Sequence, residues 1–342
     1  MKEKQIIDTI CNWNRNNDFS GVISVSKEKE LIFQEAYGYR NKPEKLLNNV
    51  NTKIAIASGT KLFTALAICK LIDKGLFSLN DRICDLIDQD LKTINKKVTV
   101  FHLLTHTSGI GDYLDEDLLV EQFDILKLYE NHPVHKWESL SYYLPMFNEL
   151  PQKFNPGEHF DYSNAGFILL GLIIESISKN TYQQYILQNI ISSLGLLHTG
   201  FYRMNNLPEN TAIGYLYNES LKEFESNVLY MPIMGGSDGG IFTSASDLEK
   251  LWKGIISNNI FSEKMKKQIF EKHIIRDECK YYGLGIYIRE ELHRKAYYAI
   301  GVDFGVNFFT AYFPKCDIIA SALGNMEKNT LTLFQELFLL IK

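Results

Sequence analysis

Strand-like segments occur at both ends of this 342-residue chain, and a mostly helical stretch lies between them. β-branched and aromatic residues fill 21–26 and 31–39, and the charged segment Lys27–Glu30 between them predicts a hairpin. Four more strand-like segments near the C-terminus are 281–288, 295–300, 306–313 and 318–323. Terminal strands that bracket helices predict an α+β fold, with one antiparallel sheet built from both chain ends and a helical part inserted.

Apolar residues at helical spacing predict the remaining elements. A first helix is expected over 4–16, and a second one opens at Ser58 and stops at Gly75. Further helices are predicted at 98–105, 120–130, 165–178, 182–193, 246–257 and 330–341. We expect a single domain over 1–342. It would comprise a sheet subdomain (1–75 and 250–342) and a helical subdomain (76–249).

Composition excludes several functions. The net charge is -5 and no long basic run occurs, so we expect no binding to nucleic acid or to an anionic membrane. The longest apolar run, 165–174, is too short to span a bilayer. Five scattered cysteines argue against a disulfide framework or a zinc site, and no metal or cofactor is expected. The amphipathic N-terminus does not look like a signal peptide, which favours the cytoplasm.

Ser58 and Lys61 form the first motif that suggests chemistry. Residues three apart share one face of a helix, so the Lys61 amine can reach the Ser58 hydroxyl. The helix N-terminus favours negative charge on the serine oxygen, and burial makes a lysine usable as a base. A capping serine with a solvated lysine is the alternative. Ser24–Lys27, Ser26–Lys29 and Ser176–Lys179 share the spacing but lie at strand and helix ends.

Tyr162 and Asn164 form the second motif. They follow a turn at Asn155–Gly157 and precede 165–170, which is apolar on every side and therefore predicts a buried helix. In an extended tripeptide both side chains project to one face, so a tyrosine hydroxyl and an asparagine amide can reach one pocket. The alternative is a core tyrosine followed by a helix-capping asparagine.

Two other motifs have weaker context. Gly235–Gly239 matches the Gly-x-Ser-x-Gly elbow around Ser237, but neither a strand before it nor a helix directly after it is predicted. His102 and His106 have the spacing of a zinc helix, yet Leu103 stands where a metalloprotease needs its glutamate. We interpret the glycine-rich segment as a turn and both histidines as structural.

Taken together, these motifs resemble the serine β-lactamases and penicillin-binding proteins, in particular the class C-like branch with D-aminopeptidases and small-ester esterases. The resemblance covers roughly residues 20 to 325. Besides the two motifs it rests on 103–109, 156–157, 170–171, 239–248 and 282–285. It implies a β-lactamase/transpeptidase-like fold, a small-molecule or peptide substrate and no cofactor. It leaves the oligomeric state open.

The resemblance also implies roles. Ser58 would be the acylated nucleophile, Lys61 and Tyr162 would share the proton transfers, and Asn164 would orient Lys61 and the substrate amide. The backbone N–H groups of Ser58 and Val302 would form the oxyanion hole, in which one donor is typically worth about 10²–10³ in rate.

The third motif departs from the family pattern of Lys or His, any residue, then Gly. The matching residues are Ala299-Ile300-Gly301, so the glycine is kept and the cation is absent, while His293 and Lys295 are out of register. This argues against penicillins and D-Ala-D-Ala termini as substrates. We therefore expect a serine hydrolase for a small ester, amide or D-amino-acid peptide. The alternative is a non-catalytic penicillin-binding-like sensor that has lost the third motif.

Overall fold

The computed structural model describes residues 3–28, 30–114, 132–257, 260–327 and 329–341. The helix predicted at 120–130 lies outside the described residues.

An eight-stranded antiparallel sheet is built from both ends of the chain, which confirms the predicted α+β class. The strands in chain order are β1 Gly21–Lys27, β2 Glu30–Tyr37, β3 Tyr39–Asn41, β4 Leu46–Leu47, β5 Ile54–Ala55, β6 Gly200–Phe201, β7 Tyr215–Asn218, β8 Glu223–Ser226, β9 Ile241–Thr243, β10 Ile274–Ile275, β11 Lys280–Tyr282, β12 Tyr287–Glu291, β13 Arg294–Asp303, β14 Val306–Phe313 and β15 Ile318–Gly324. The main sheet has the order β10-β11-β12-β13-β14-β15-β1-β2, and Gly21 of β1 pairs with Gly324 of β15. The N-terminal hairpin is therefore paired directly with the last strand.

Helices cover both faces of this sheet. They are α1 Glu3–Asn17, α2 Thr60–Asp73, α3 Val100–Leu104, α4 Leu144–Phe147, α5 Asn164–Ser178, α6 Tyr182–Ile186, α7 Ala245–Ile256, α8 Glu263–Ile269 and α9 Thr330–Leu340. Short 3₁₀ turns occur at Ala57–Gly59, Ile83–Asp85, Val134–Lys136, Leu140–Tyr142, Ser192–Leu194 and Asn227–Leu229. No helix in the described part of the chain has the length and apolar character needed to cross a membrane.

Alternating residues of the strands divide the core into two layers, because successive side chains of a strand point to opposite faces. Phe309 faces α1 and α9, where it packs with Trp13 and Phe334. The neighbouring Phe308 faces the other way, into the larger core that contains α2 and α5. Helix α2 is buried on nearly all sides, so it runs through the centre of this larger core.

Two predicted elements are broken in the structure. The single strand expected at 281–288 is two strands, because a tight turn with a hydrogen bond from Gly283 N–H to the Ile286 carbonyl separates β11 from β12. Gly285 has φ +70°, and a Cβ there would overlap Ala65 of α2. The helix expected at 182–193 is α6, followed by a π-helical turn at Leu187–Ile191 and a 3₁₀ turn.

Candidate active site

Ser58 lies in the 3₁₀ turn Ala57–Gly59 that leads directly into α2. The preceding Ala57 has φ +45°, a left-handed conformation that is uncommon outside glycine and often marks functional sites. The half-buried Ser58 hydroxyl accepts a hydrogen bond of 2.9 Å from Lys61 Nζ. The helical spacing therefore brings the serine and the lysine into direct contact.

Lys61 is almost completely buried, with 3% of its surface exposed. Besides Ser58 Oγ, its Nζ donates to Asn164 Oδ1 at 2.7 Å and to the Asp238 carbonyl oxygen at 2.9 Å. Both of these oxygens can only accept hydrogen bonds, whereas a hydroxyl can also donate. When Lys61 is neutral, its two N–H groups can satisfy the carbonyl oxygens and its lone pair can face the Ser58 hydroxyl. This arrangement suits a general base.

Tyr162 and Asn164 approach Lys61 from the same side. Ser163 between them has extended backbone angles (φ −137°, ψ 120°), so its two neighbours project together. The Tyr162 ring centroid lies 4.9 Å from Lys61 Nζ. Ser163 is the residue that caps α5, since its hydroxyl accepts from Gly166 N–H at 3.0 Å. The Asn164 side chain is thus available to Lys61.

His106 supports Tyr162 from behind. Its ring packs on the Tyr162 ring with the centroids 4.5 Å apart. Its Nδ1 accepts from Ser163 N–H at 3.0 Å, so the ring proton is on Nε2 and can be donated to the Tyr282 hydroxyl at 3.1 Å. Complete burial, with Lys61 and Arg276 nearby, holds the pKa of His106 well below its ordinary value. His106 is therefore a neutral structural residue, in line with its sequence context.

Asp112 holds the N-terminus of α5 and was not singled out in the sequence. Its carboxylate accepts from the N–H groups of Asn164 at 2.5 Å, Ala165 at 3.2 Å and Leu114 at 3.1 Å. Burial raises the pKa of Asp112 to about 6, against the effect of these hydrogen bonds. Only the folded chain brings this loop residue under the helix, so no sequence spacing pointed to it.

Asp238 was also missed, because it lies in the glycine-rich segment interpreted as a turn. Its backbone carbonyl binds Lys61, and its carboxylate accepts a hydrogen bond from the Tyr113 hydroxyl. Burial raises the pKa of Asp238, while the charge of Lys61 and the Tyr113 hydroxyl oppose this shift. The adjacent Ser237 is completely buried, and β9 rather than a helix follows it, so the segment is not a nucleophile elbow.

Strand β13 lies directly against the Ser58 turn. A Cβ on Gly301 would overlap the Ile56 carbonyl oxygen and lie 3.0 Å from Ser58 N, so only glycine fits there without displacement. The next residue, Val302, is 68% exposed and lines the same cleft as Ser58 and Asn164. The backbone of β13 therefore lies close to the backbone of the Ser58 turn. An oxyanion hole formed by the Ser58 and Val302 N–H groups would need this proximity.

Ala299 is buried on the same strand and faces the larger core, as the alternation from Gly301 requires. No cationic side chain elsewhere on β13 takes the place of the Lys or His that the family pattern has at the position of Ala299. Lys295 pairs with Glu290 at 3.1 Å, and it lies six residues before Gly301, roughly 20 Å along the strand. Arg294 is one residue further away.

The cleft over Ser58 has a volume of about 680 Å³. Its walls include Leu114, Phe304 and Phe308, together with the carboxylates of Asp303 and Glu327. None of the described residues that line it is basic. Within the described ranges, no group of three His, Cys, Asp or Glu side chains could hold a metal ion. The cleft is thus an apolar and acidic space that opens onto a serine–lysine pair.

This fold and site define a class of serine–lysine proteins, and comparison with known proteins gives the family. The family model described as Beta-lactamase matches residues 13–325, so the chain belongs to the beta-lactamase family. The crystal structure of a penicillin-binding protein from Bacillus halodurans is 33% identical and superposes with a TM-score of 0.90. The alignment covers 97% of this chain and all of that one.

Two further similarities extend this finding. Protein flp of Staphylococcus aureus (strain NCTC 8325 / PS 47) is 34% identical over 218 residues, which is 62% of this chain and 41% of that protein. This chain therefore matches less than half the length of flp. A D-amino acid amidase from Ochrobactrum anthropi SV3, solved with D-phenylalanine, is 18% identical with a TM-score of 0.77 over 95% of this chain and 92% of that one. At that identity the similarity shows a common fold alone.

Proposed function

We propose that this protein is a serine hydrolase that forms an acyl-enzyme on Ser58 with a small ester, amide or D-amino-acid peptide. The observation that carries the proposal is the position of Lys61 Nζ, 2.9 Å from Ser58 Oγ and bound to two acceptor-only oxygens. A buried amine held in this way can take the proton of the serine hydroxyl. Without such a base, a serine hydroxyl is a weak nucleophile.

In the proposed acylation, Ser58 Oγ attacks the substrate carbonyl carbon while its proton passes to Lys61 Nζ. The carbonyl oxygen becomes an oxyanion and is stabilised by the N–H groups of Ser58 and Val302. Collapse of this intermediate breaks the bond to the leaving group. The leaving group takes a proton relayed from Lys61 through Tyr162, and the ester of Ser58 remains.

In the proposed deacylation, a water molecule attacks the Ser58 ester and gives its proton to the Lys61–Tyr162 pair. The acid product leaves, and the proton returns to Ser58 Oγ. Asn164 holds the Lys61 amine throughout, because its Oδ1 accepts a hydrogen bond in both protonation states. An amine acceptor would follow the same path and would yield an amide.

The lining of the cleft supports acyl donors without a carboxylate. A carboxylate buried beside Asp303 and Glu327, with Ala299 in place of a cation, would lose its hydration without gaining a partner. We therefore place uncharged esters and amides ahead of penicillins.

The non-catalytic sensor has one observation in its favour, the loss of the family cation at Ala299. Against it stands the Lys61 network, since a binding protein has no use for a buried amine directed at a serine. Covalent labelling separates the two proposals.

The test is intact mass spectrometry after incubation with a fluorophosphonate or an activated ester. We expect one adduct, lost in Ser58→Ala and retained in the matched control Ser237→Ala. An adduct that persists in Ser58→Ala, or that maps to Ser237, would refute the assignment. No adduct in the wild type would favour the sensor.

A further inference from the structure

A second, smaller pocket opens beside the Ser58 cleft and has aromatic walls. The two spaces share Leu114, Asp238, Gly239 and Asp303 as common lining, so a substrate bound over Ser58 can extend into the pocket. Its aromatic residues are Tyr113, Trp137, Tyr143, Tyr202 and Phe242. The catalytic steps proposed above use none of these five rings.

The rings are held in fixed positions by contacts with one another. The Trp137 and Tyr143 centroids are 4.7 Å apart at 61°, and Tyr113 meets Tyr143 edge-on at 5.5 Å. On the other side, Tyr202 and Phe242 are 5.7 Å apart. Aromatic rings carry a negative face that attracts a cation, and a cage of several rings is a known binding site for substituted ammonium groups.

The charged side chains that line the pocket are both acidic, and the nearby Lys61, which donates to the Asp238 carbonyl, is not among the lining residues. Asp238 is 92% buried, and its carboxylate is fixed by the Tyr113 hydroxyl. Asp303 lies at the shared edge, where its carboxylate accepts from Phe304 N–H at 2.8 Å. Among the described residues that line the pocket, none is Lys, Arg or His. Two carboxylates without a basic lining residue disfavour an anion and favour a cation.

From the ring cage and these carboxylates together, we infer that the pocket binds a positively charged, alkylated ammonium group of the acyl donor. This inference rests on the proposed function, because it names the substrate class of the same site. The pocket volume is about 70 Å³, which corresponds to about five water molecules when each needs roughly 10–15 Å³. A trimethylammonium head group with its first methylene has that size.

Three p-nitrophenyl esters of equal length test the charge preference. One carries trimethylammonium-butyrate, the second is its neutral isostere with a quaternary carbon in place of the nitrogen, and the third is a glutarate monoester. After correction for their rates of alkaline hydrolysis, we expect kcat/KM for the cationic ester to exceed that of the neutral isostere by about 10-fold. The anionic ester should be the poorest of the three.

Variants then assign the preference to the pocket. Tyr202→Leu removes a half-buried ring but keeps apolar volume, so the ratio of cationic to neutral kcat/KM should fall towards one. Tyr202→Phe keeps the ring and should keep the ratio. Asp303→Asn should lower the ratio as well. Tyr217→Leu, at an exposed position of β7, is the matched control and should leave the ratio unchanged.

A neutral isostere that is turned over as well as the cationic ester would refute the inference and leave the serine hydrolase intact. If Ser58 is not acylated by any ester, the proposed function fails, and a binding measurement still decides about the pocket. In that case Trp137 fluorescence is titrated in Ser58→Ala with the two corresponding amides. Binding of the trimethylammonium amide about 10-fold tighter than its isostere would support the pocket, and equal affinities would overturn it.

Discussion

Lys61 Nζ contacts two oxygens that only accept hydrogen bonds, Asn164 Oδ1 and the Asp238 carbonyl. It also contacts the Ser58 hydroxyl, which can either accept or donate a hydrogen bond. Lys61→Met keeps most of the stem volume but removes the base, so we expect kcat to fall by about 10²–10⁴. Tyr162→Phe removes a proton carrier and little volume, and its effect should be no larger than that of Lys61→Met. Steady-state kinetics with a neutral ester measure both variants.

Thermal unfolding of the same variants separates chemistry from folding. Lys61→Met leaves two buried carbonyl oxygens without this donor, so its Tm should drop, whereas Tyr162→Phe should melt close to the wild type. Tyr39→Phe, on the exposed strand β3, is a control for losing a tyrosine hydroxyl. Wild-type kinetics in Tyr162→Phe would mean that Tyr162 carries no proton.

Ala299 should determine how the protein treats a substrate carboxylate. The side chain points to the same face of β13 as Gly301, so Ala299→His places a cationic or polar group on the Ser58 side of the sheet. We expect the ratio of kcat/KM for nitrocefin to that for p-nitrophenyl acetate to rise in the variant. Efficient nitrocefin hydrolysis by the wild type would show that another group supplies the charge.

Gly301 is the residue with the least room at the site. Gly301→Ala would push β13 away from the Ser58 turn, so both Tm and ester turnover should fall. Gly166→Ala is the matched control, because its added Cβ has its nearest contact at an ordinary 3.4 Å and alanine favours the helix by about 1 kcal/mol. Equal activity of the two variants would argue against an oxyanion hole at Val302.

At the scale of elements, the N-terminus of α5 depends on a carboxylate that is costly to bury. The pKa of Asp112 rises from 3.8 to about 6 on folding, so the folded state holds the proton more tightly than the unfolded state. The contribution of Asp112 to the free energy of unfolding therefore decreases as the pH rises from about 4 to about 6. The total change is at most about 3 kcal/mol.

Asp112→Asn cannot titrate, which makes this contribution measurable. The stability of the wild type minus that of Asp112→Asn should shrink between pH 4 and pH 7, as followed by urea denaturation. Asp88→Asn, at an exposed ion pair with Lys179, is the surface control. A difference that stays constant or grows with pH would contradict the direction of the shift.

The sequence predicted elements better than it predicted contacts between loops. Helical spacing was enough to place Lys61 beside Ser58, and the β14 boundaries were predicted residue for residue. Gly283 and Gly285 carried a signal for the break between β11 and β12, since glycine inside a strand pattern often marks a bend or a close approach. Asp112 and Asp238 gave no comparable signal. They act through loops whose positions are fixed only by the helices packed around them.

At the scale of the whole molecule, residues on one face of the sheet should affect stability without affecting catalysis, because the proposed catalytic residues lie on the other face. Trp13 packs on the sheet face opposite Ser58 and donates a hydrogen bond of 2.8 Å to Thr332 Oγ1. Trp13→Ala should cost about 3–5 kcal/mol of stability, while kcat below the melting transition stays near the wild-type value. Trp13→Phe loses mainly the hydrogen bond and should cost less. A large loss of kcat in folded Trp13→Ala would show that the two faces are coupled.

The pairing of Gly21 with Gly324 also has a consequence for how this protein is made. A ribosome adds about 5–20 residues per second, so the hairpin β1–β2 and the Ser58 turn emerge well before β13. Until β15 arrives, one edge of β1 has no partner and can pair with another nascent chain. Synthesis therefore leaves an interval in which the serine is present but the strand carrying Gly301 is not. Until β13 has emerged, an intermediate on the ribosome cannot hydrolyse a substrate by the route proposed here.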